Sequence, residues 1–186
     1  MVKPERRLLM DERAVERALE RMAREIVERN NGVHGLCLMG IQRRGVQLAE
    51  RLAQEIERAE GQTPPVGTLD ITLYRDDLTT IGPRPVLGET RLPPGGVDGR
   101  NLVIVDDVLY TGRTVRAALD ELADFGRPGR IWLCVLVDRG GRELPIQPDV
   151  VGRTFDAGVH QVIEVRVPEL DGALAVELVA RPAEEE

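Results

Sequence analysis

A chain of 186 residues can bury one core without disulfide or metal staples, and 42% hydrophobic with 31% charged residues is the balance of an ordinary globular domain. The formal net charge of -7 excludes a general attraction to polyanions, so a nucleic acid or an anionic membrane would have to meet a local basic patch. No run approaches the roughly 18 apolar residues of a membrane span, and the charged opening lacks the apolar centre of a signal peptide; the expectation is a cytoplasmic protein with no membrane partner.

From Asp11 to Arg29, Val15, Ala18, Leu19, Met22 and Ile26 fall at helical spacing, and Asn30-Asn31-Gly32 supplies a stop. Leu36 to Met39 has the pattern of a buried strand. Gly40-Ile-Gln-Arg-Arg-Gly45 then turns into a second helix carrying Val46, Leu48, Ala49, Leu52, Ala53 and Ile56. Val66 to Tyr74 alternates as a strand, and the Gly- and Pro-rich stretch 75–99 suits a functional flap or lid. Leu102 to Val105 is an apolar strand ending at Asp106-Asp107, and Thr114 to Asp124 is a helix with Val115, Ala118, Leu119 and Leu122 inward. Ile131 to Val137 is another buried strand, followed by β-like pieces at Val150-Val151, Val162 to Val167 and Ala175 to Val179. Cys37 and Cys134 each sit inside an apolar run, the setting of buried thiols rather than metal ligands. Continuous apolar strands alternating with helices predict an α/β fold: a mostly parallel twisted sheet with helices on both faces. The domain is predicted to span 1–183, with an acidic tail at 184–186. In such sheets ligands bind outside the carboxyl ends of the strands.

Leu102-Val-Ile-Val-Asp-Asp-Val-Leu-Tyr-Thr-Gly-Arg-Thr114 is the most informative segment, because a buried strand delivers two adjacent carboxylates and then a Thr/Gly/Thr turn that opens a helix. Amides at a helix start, from about Thr111 to Thr114, can cradle a phosphate, and the helix dipole favours its charge. Gly112 permits close approach, and the hydroxyls of Thr111 and Thr114 add donors. Asp106 and Asp107, at the strand tip, are placed to accept from the hydroxyls of a ribose whose 5-phosphate lies in the turn. Each half alone is weak, since an Asp pair can cap a turn and Thr-Gly-Arg-Thr is a common loop. Neither a Walker loop nor a dinucleotide fingerprint occurs, which disfavours P-loop kinases and dehydrogenases. The Arg43-Arg44 pair suits pyrophosphate, although from those six residues alone a solvated pair at a helix start is about as good an account.

Taken together, these residues resemble the signature that binds phosphoribosyl pyrophosphate (PRPP) in the type I phosphoribosyltransferases. The likeness covers nearly the whole chain. It runs through Asp70-Ile-Thr-Leu-Tyr-Arg-Asp-Asp77, the 105–116 segment, Val137-Asp-Arg-Gly140 and Arg142-Glu-Leu-Pro-Ile146, and is nearest to the branch whose members are both uracil phosphoribosyltransferases and pyrimidine-operon attenuation proteins. The resemblance implies the fold of that family, with a flexible flap at about 75–99 and a small hood from 138–170. It implies transfer from PRPP to uracil, giving UMP and pyrophosphate with Mg²⁺ as cofactor, and UMP and UTP as ligands. Asp106, Asp107 and Arg75 are then the catalytic residues. Val108, Leu109, Tyr110, Thr111, Gly112, Arg113 and Thr114 bind the sugar phosphate. Arg43, Arg44 and Arg84 bind pyrophosphate, with a cis peptide in the 40–45 loop. Val137, Arg139 and Ile163 meet the base, and Glu169 is the one carboxylate offered to the metal.

In the related hypoxanthine-guanine enzymes a carboxylate stands where this chain has Tyr110, and its absence leans toward a pyrimidine. The resemblance also implies self-association, as a homodimer or homotetramer, and binding of pyrimidine-operon messenger RNA. For RNA the candidates are Arg17, Arg21 and Arg24 on the first helix and Arg153. Glu16, Glu20 and Glu25 lie within one turn of them, so a salt-bridged solvated face is the stronger account of the helix. Two basic positions expected in the family are here Gly141 and Gln147. Two alternatives stay open: a hypoxanthine-guanine transferase, and an RNA-binding regulator that keeps the site only as a nucleotide sensor.

Overall fold

The computed structural model describes residues 5–74 and 88–180. Strand β1 (Arg6–Met10) leads into helix α1 (Glu12–Asn30), which starts where the Asp11 carboxylate accepts from the amide of Ala14 at 2.8 Å. It stops at Asn31, whose φ of 60° is left-handed, and the Asn31 amide closes back on the Glu28 carbonyl. Strand β2 (Leu36–Ile41), helix α2 (Arg44–Glu60) and strand β3 (Val66–Leu69) follow. After them come β4 (Asn101–Leu109), α3 (Arg113–Phe125), β5 (Arg130–Asp138) and β6 (Val150–Thr154). The chain closes with β7 (Gln161–Arg166), the short α4 (Pro168–Asp171) and β8 (Ala175–Ala180).

Among the described residues five strands form one sheet in the order β3-β2-β4-β5-β6, and every neighbouring pair is parallel. Helices cover both faces, as the apolar runs predict. On one face Leu19, Met22 and Ile26 of α1 and Leu48, Leu52 and Ile56 of α2 pack on Leu38, Val103, Val105 and Cys134. On the other, Val115, Ala118 and Leu122 of α3 pack on Cys37, Met39, Ile104 and Val135. Removing a fully buried side chain such as Leu52 would cost about 2–5 kcal/mol, so this core holds the strand ends in place. Both thiols are buried, and burial pushes Cys37 up to about 11 and Cys134 higher still, which keeps them protonated and inert.

Three local expectations change. The strand expected from Val66 to Tyr74 ends at Leu69, because Asp70 accepts from the amide of Thr72 at 3.1 Å and from its hydroxyl, turning Thr72–Tyr74 into a single 3₁₀ turn. β4 runs four residues past Val105, so Asp106 and Asp107 lie within a strand rather than at its tip. The third change is a second sheet, β1-β8-β7, whose pairs are antiparallel. The stretch 138–170 assigned to the hood supplies only β7 of that sheet; the first strand comes from residues 6–10 and the last from 175–180. Among the described residues no helix is long and apolar enough to cross a membrane.

Candidate active site

β2 and β4 part company at the pair Gly40 and Val105, after which β4 continues beside β5 alone as far as Leu109 opposite Asp138. The vacated edge is where Asp106 and Asp107 emerge. The 40–45 loop folds over it at very short range: a Cβ on Gly45 would lie 2.5 Å from the Val105 carbonyl oxygen, and one on Gly40 would enter the backbone of Val46. Gly45 therefore lets the arginine turn press against the carboxylate strand, and Gly40 lets the turn close tightly on itself. The Gln42–Arg43 peptide in this turn is cis, as the resemblance implied.

The two carboxylates are not equivalent. Asp106 is only 6% exposed, and its Oδ1 accepts from the amide of Asp107 at 2.9 Å. Burial, and then the charge of Asp107, push the Asp106 carboxyl well above the usual carboxylate range. Asp107 is half-buried, with Oδ1 on the amide of Val108 at 2.9 Å, and it faces two cavities. The first, of about 690 Å³, brings Arg43, Arg44, Asp106, Asp107, Val108 and Thr114 together. A volume of that size is in the range of small-molecule sites. The second, of about 490 Å³, joins Asp107 and Arg44 to Ile163, Glu164 and Asp171 beneath the antiparallel sheet.

Gly112, at φ 93°, is the N-cap of α3, and the 111–114 turn opens that helix as expected. Arg113 donates from Nε to Glu143 at 2.7 Å. The paired arginines have separate fates. Arg43 is exposed and its side chain caps nothing, whereas Arg44 grips Asp171 with two bonds, Nε to Oδ2 at 3.1 Å and Nη2 to Oδ1 at 2.8 Å. That guanidinium, joined by the amide of Val167, holds the Asp171 carboxyl below the usual range against the opposing effect of burial. Asp171 was not singled out in the sequence; the only signal was an acidic residue before Gly172. Glu169, offered to a metal, is paired with Arg51 at 2.9 Å. Among the described residues no three His, Cys, Asp or Glu side chains cluster as metal ligands.

Of the candidate base residues, Val137 and Arg139 lie at the end of β5 and Ile163 lies on β7. Val137 is fully buried in the core, in register between Val108 of β4 and Arg153 of β6. The Arg139 guanidinium lies 3.8 Å from the centre of the Tyr110 ring and donates to the carbonyls of Gln161 at 3.2 Å and Ala157 at 3.4 Å. Ile163, on β7, is buried apart from its share of the second cavity. Arg75 and Arg84 lie outside the described residues.

Of the RNA candidates, Arg21 donates to the carbonyls of Val151 at 2.9 Å and Gly152 at 2.5 Å on β6, and Arg24 pairs with Glu20 at 2.5 Å. Arg17 and Arg24 line a groove between α1 and α2 that also contains Glu16, Glu20 and Glu55. Arg153 sits on β6, one residue beyond an Arg21 contact.

A parallel sheet whose open edge holds paired aspartates, a helix-start cradle and an arginine turn is the framework of a phosphoribosyltransferase. The family model described as phosphoribosyl transferase domain matches residues 8–170. Bifunctional protein PyrR of Thermus aquaticus is 57% identical over 170 residues, covering 91% of this chain and 93% of its own. Bifunctional protein PyrR of Deinococcus radiodurans is 53% identical over 164 residues, covering 88% and 89%. In fold, the chain is similar to a hypoxanthine-guanine phosphoribosyltransferase of Bacillus anthracis, with a TM-score of 0.70 at 16% identity, covering 94% of this chain and 98% of that one. A Trypanosoma cruzi hypoxanthine phosphoribosyltransferase gives the same TM-score at 18% identity, covering 95% and 91%. This chain belongs to the phosphoribosyltransferase family and, within it, to the bifunctional PyrR proteins.

Proposed function

We infer that this protein transfers the phosphoribosyl group of PRPP to uracil, giving UMP and pyrophosphate, and that it regulates pyrimidine genes by binding their messenger RNA in response to uridine nucleotides. The observation that carries the enzymatic reading is the single cavity in which Asp106, Asp107, Arg43, Arg44 and Thr114 meet at the open edge of the sheet. The bond from ribose C1 to pyrophosphate breaks as one to a uracil nitrogen forms, through a ribose that carries positive charge. Catalysis is then positioning and charge stabilisation. The 111–114 amides hold the 5-phosphate at the positive end of α3, the two aspartates accept from the ribose hydroxyls, and the arginine turn takes the departing pyrophosphate.

The donor set suits Mg²⁺, a hard cation that keeps several waters and takes most of its oxygens from phosphates rather than from an all-protein cage. Asp107, partly exposed between the two cavities, is the carboxylate best placed to share it; Glu169 and Asp171 are already committed to arginines. When bound, the cation would neutralise charge on the leaving pyrophosphate. Regulation is supported by the kinship with bifunctional PyrR proteins, and Arg17, Arg24 and Arg153 remain the proposed RNA contacts. Self-association as a dimer or tetramer, and a site of action in the cytosol, belong to the same reading.

Pyrophosphate release measured with PRPP, Mg²⁺ and a panel of bases tests this directly. Uracil should drive turnover and yield UMP. Turnover with hypoxanthine or guanine and none with uracil would overturn the base assignment.

A further inference from the structure

Three successive carbonyls of the sugar-phosphate turn are held from the same side by the loop that follows β5. The amide of Arg139 donates to Leu109 at 3.1 Å, Arg142 Nη1 donates to Tyr110 at 3.0 Å, and the amides of Glu143 and Leu144 donate to Thr111 at 3.0 and 3.1 Å. In a planar trans peptide the C=O of one residue and the N–H of the next point in opposite directions. Fixing carbonyls 109, 110 and 111 toward the 139–144 loop therefore aims the amides of Tyr110, Thr111 and Gly112 the other way. The last two belong to the 111–114 set that a phosphate in the cradle would use.

Only the middle carbonyl depends on a side chain. Arg142 spends its whole fork inside the fold: Nη1 on Tyr110, Nε on the Ile146 carbonyl at 2.9 Å and Nη2 on Asp138 Oδ2 at 2.6 Å. Its side chain is only 13% exposed, and Asp138 is fixed in turn by the amide of Gly140 at 3.0 Å. The far end of the loop closes on the turn as well, since Leu144 and Ile146 pack where a Cβ on Gly112 would lie, at 3.3–3.4 Å. This arrangement is a brace with one removable strut.

We propose that Arg142 is a positioning residue for the sugar-phosphate cradle, holding the Tyr110 carbonyl so that the following amides face the 5-phosphate. The inference rests on the phosphoribosyl reading of the site. A lysine could restore the charge beside Asp138 but not three bonds from one planar fork, so charge and geometry are separable.

The experiment compares the unaltered protein with Arg142→Lys and Arg142→Met in UMP synthesis, varying PRPP and uracil in turn, and in calorimetric titration with UMP and with uridine. Losing a charged hydrogen bond in a buried site corresponds to about a tenfold effect or more. Arg142→Met should raise the KM for PRPP and weaken UMP by about that factor, with a smaller change in the KM for uracil and in uridine affinity, which lacks the phosphate. Arg142→Lys should fall between. Equal losses for UMP and uridine, or an unchanged KM for PRPP in Arg142→Met, would overturn the proposal. So would failure of both variants to fold, because the arginine would then be structural. If the unaltered protein makes no UMP but binds ribose 5-phosphate, the functional reading fails while the brace is still decided, by whether Arg142→Met loses that binding. If it binds neither, both fail.

Discussion

The fold treats Arg21, Arg24 and Arg29 of α1 and the paired arginines of the 40–45 turn in opposite ways. On α1, Arg24 and Arg29 pair with Glu20 and Glu25 of their own helix, at 2.5 and 3.1 Å, and Arg21 turns to the carbonyls of the outermost strand, β6. At the sheet edge the 40–45 turn offers Arg43 and Arg44 no acid of its own, and they face a cavity floored by Asp106 and Asp107. Arg44 reaches an acid across the fold, at Asp171 in α4, between β7 and β8. The lesson is that arginine count does not measure cationic surface. A guanidinium whose acid lies four residues away in sequence is discharged wherever the helix forms, whereas one stranded on a strand–helix turn is left for a ligand or for a distant element.

The largest effect that sharpens this contrast lies with the aspartates opposite those arginines. Asp107→Asn and Asp106→Asn should each lower kcat/KM for UMP formation by about a hundredfold or more, in line with losing a preorganised transition-state contact. Their stabilities should diverge. An acid whose folded pKa is raised above its unfolded value of roughly 3.9 holds its proton more tightly when folded. Its ionisation costs stability as pH rises from there toward the raised value. Asp106 is the buried, raised carboxyl. Asp106→Asn should therefore be at least as stable as the unaltered protein near neutral pH, with an advantage in urea midpoint that widens as pH rises above about 4 and levels off once the raised value is passed. A difference that stays flat at every pH from about 4 upward would show that Asp106 ionises as readily in the folded protein as in the unfolded chain.

The fold was legible because its strands are continuous apolar runs and its helices keep a clean 3.6-residue period, two signals that depend on little beyond burial. The carboxylate pair and the cradle were legible because they are contiguous, one strand and one turn in sequence. What escaped was built from distance. Strand β1 is mostly exposed, Arg6 to Leu8, and finds its pattern only when β8 lies beside it. Asp171 becomes a site residue only when the antiparallel sheet lands over Arg44. Arg142 and Asp138 stood inside motifs quoted for their likeness, but the bond from Arg142 to Tyr110 spans 32 positions, and no local spacing announces it. Asp70 misled for the converse reason, since a local turn bond to Thr72 overrode the strand alternation.

A smaller effect tests the α1 side of the comparison. Arg21 satisfies two carbonyls on β6, the outermost strand, so Arg21→Ala should destabilise the fold by roughly 0.5–1 kcal/mol, read as a shift in urea midpoint with unchanged slope. If stability is untouched while affinity for pyrimidine-operon leader RNA drops, Arg21 is a free cation in solution and the contrast between the two arginine regions collapses on this face.

The smallest expected effect is the most discriminating, because it asks whether the helix pairs matter at all. Arg24 and Glu20 are both more than half exposed or close to it, and such pairs contribute about 0.3–0.5 kcal/mol, screened by salt. Arg24→Ala should therefore shift unfolding by no more than that, and the shift should vanish by 1 M salt, where the screening length falls to about 3 Å. Its consequence for RNA follows from the same geometry. A guanidinium already held by Glu20 must give up that partner before it meets a phosphate, so Arg24→Ala should change the slope of log affinity against log salt by less than the ~0.7–0.9 of a full phosphate contact. A full unit of slope would mean that the pair opens at almost no cost and that the groove between α1 and α2 presents its arginines to RNA after all.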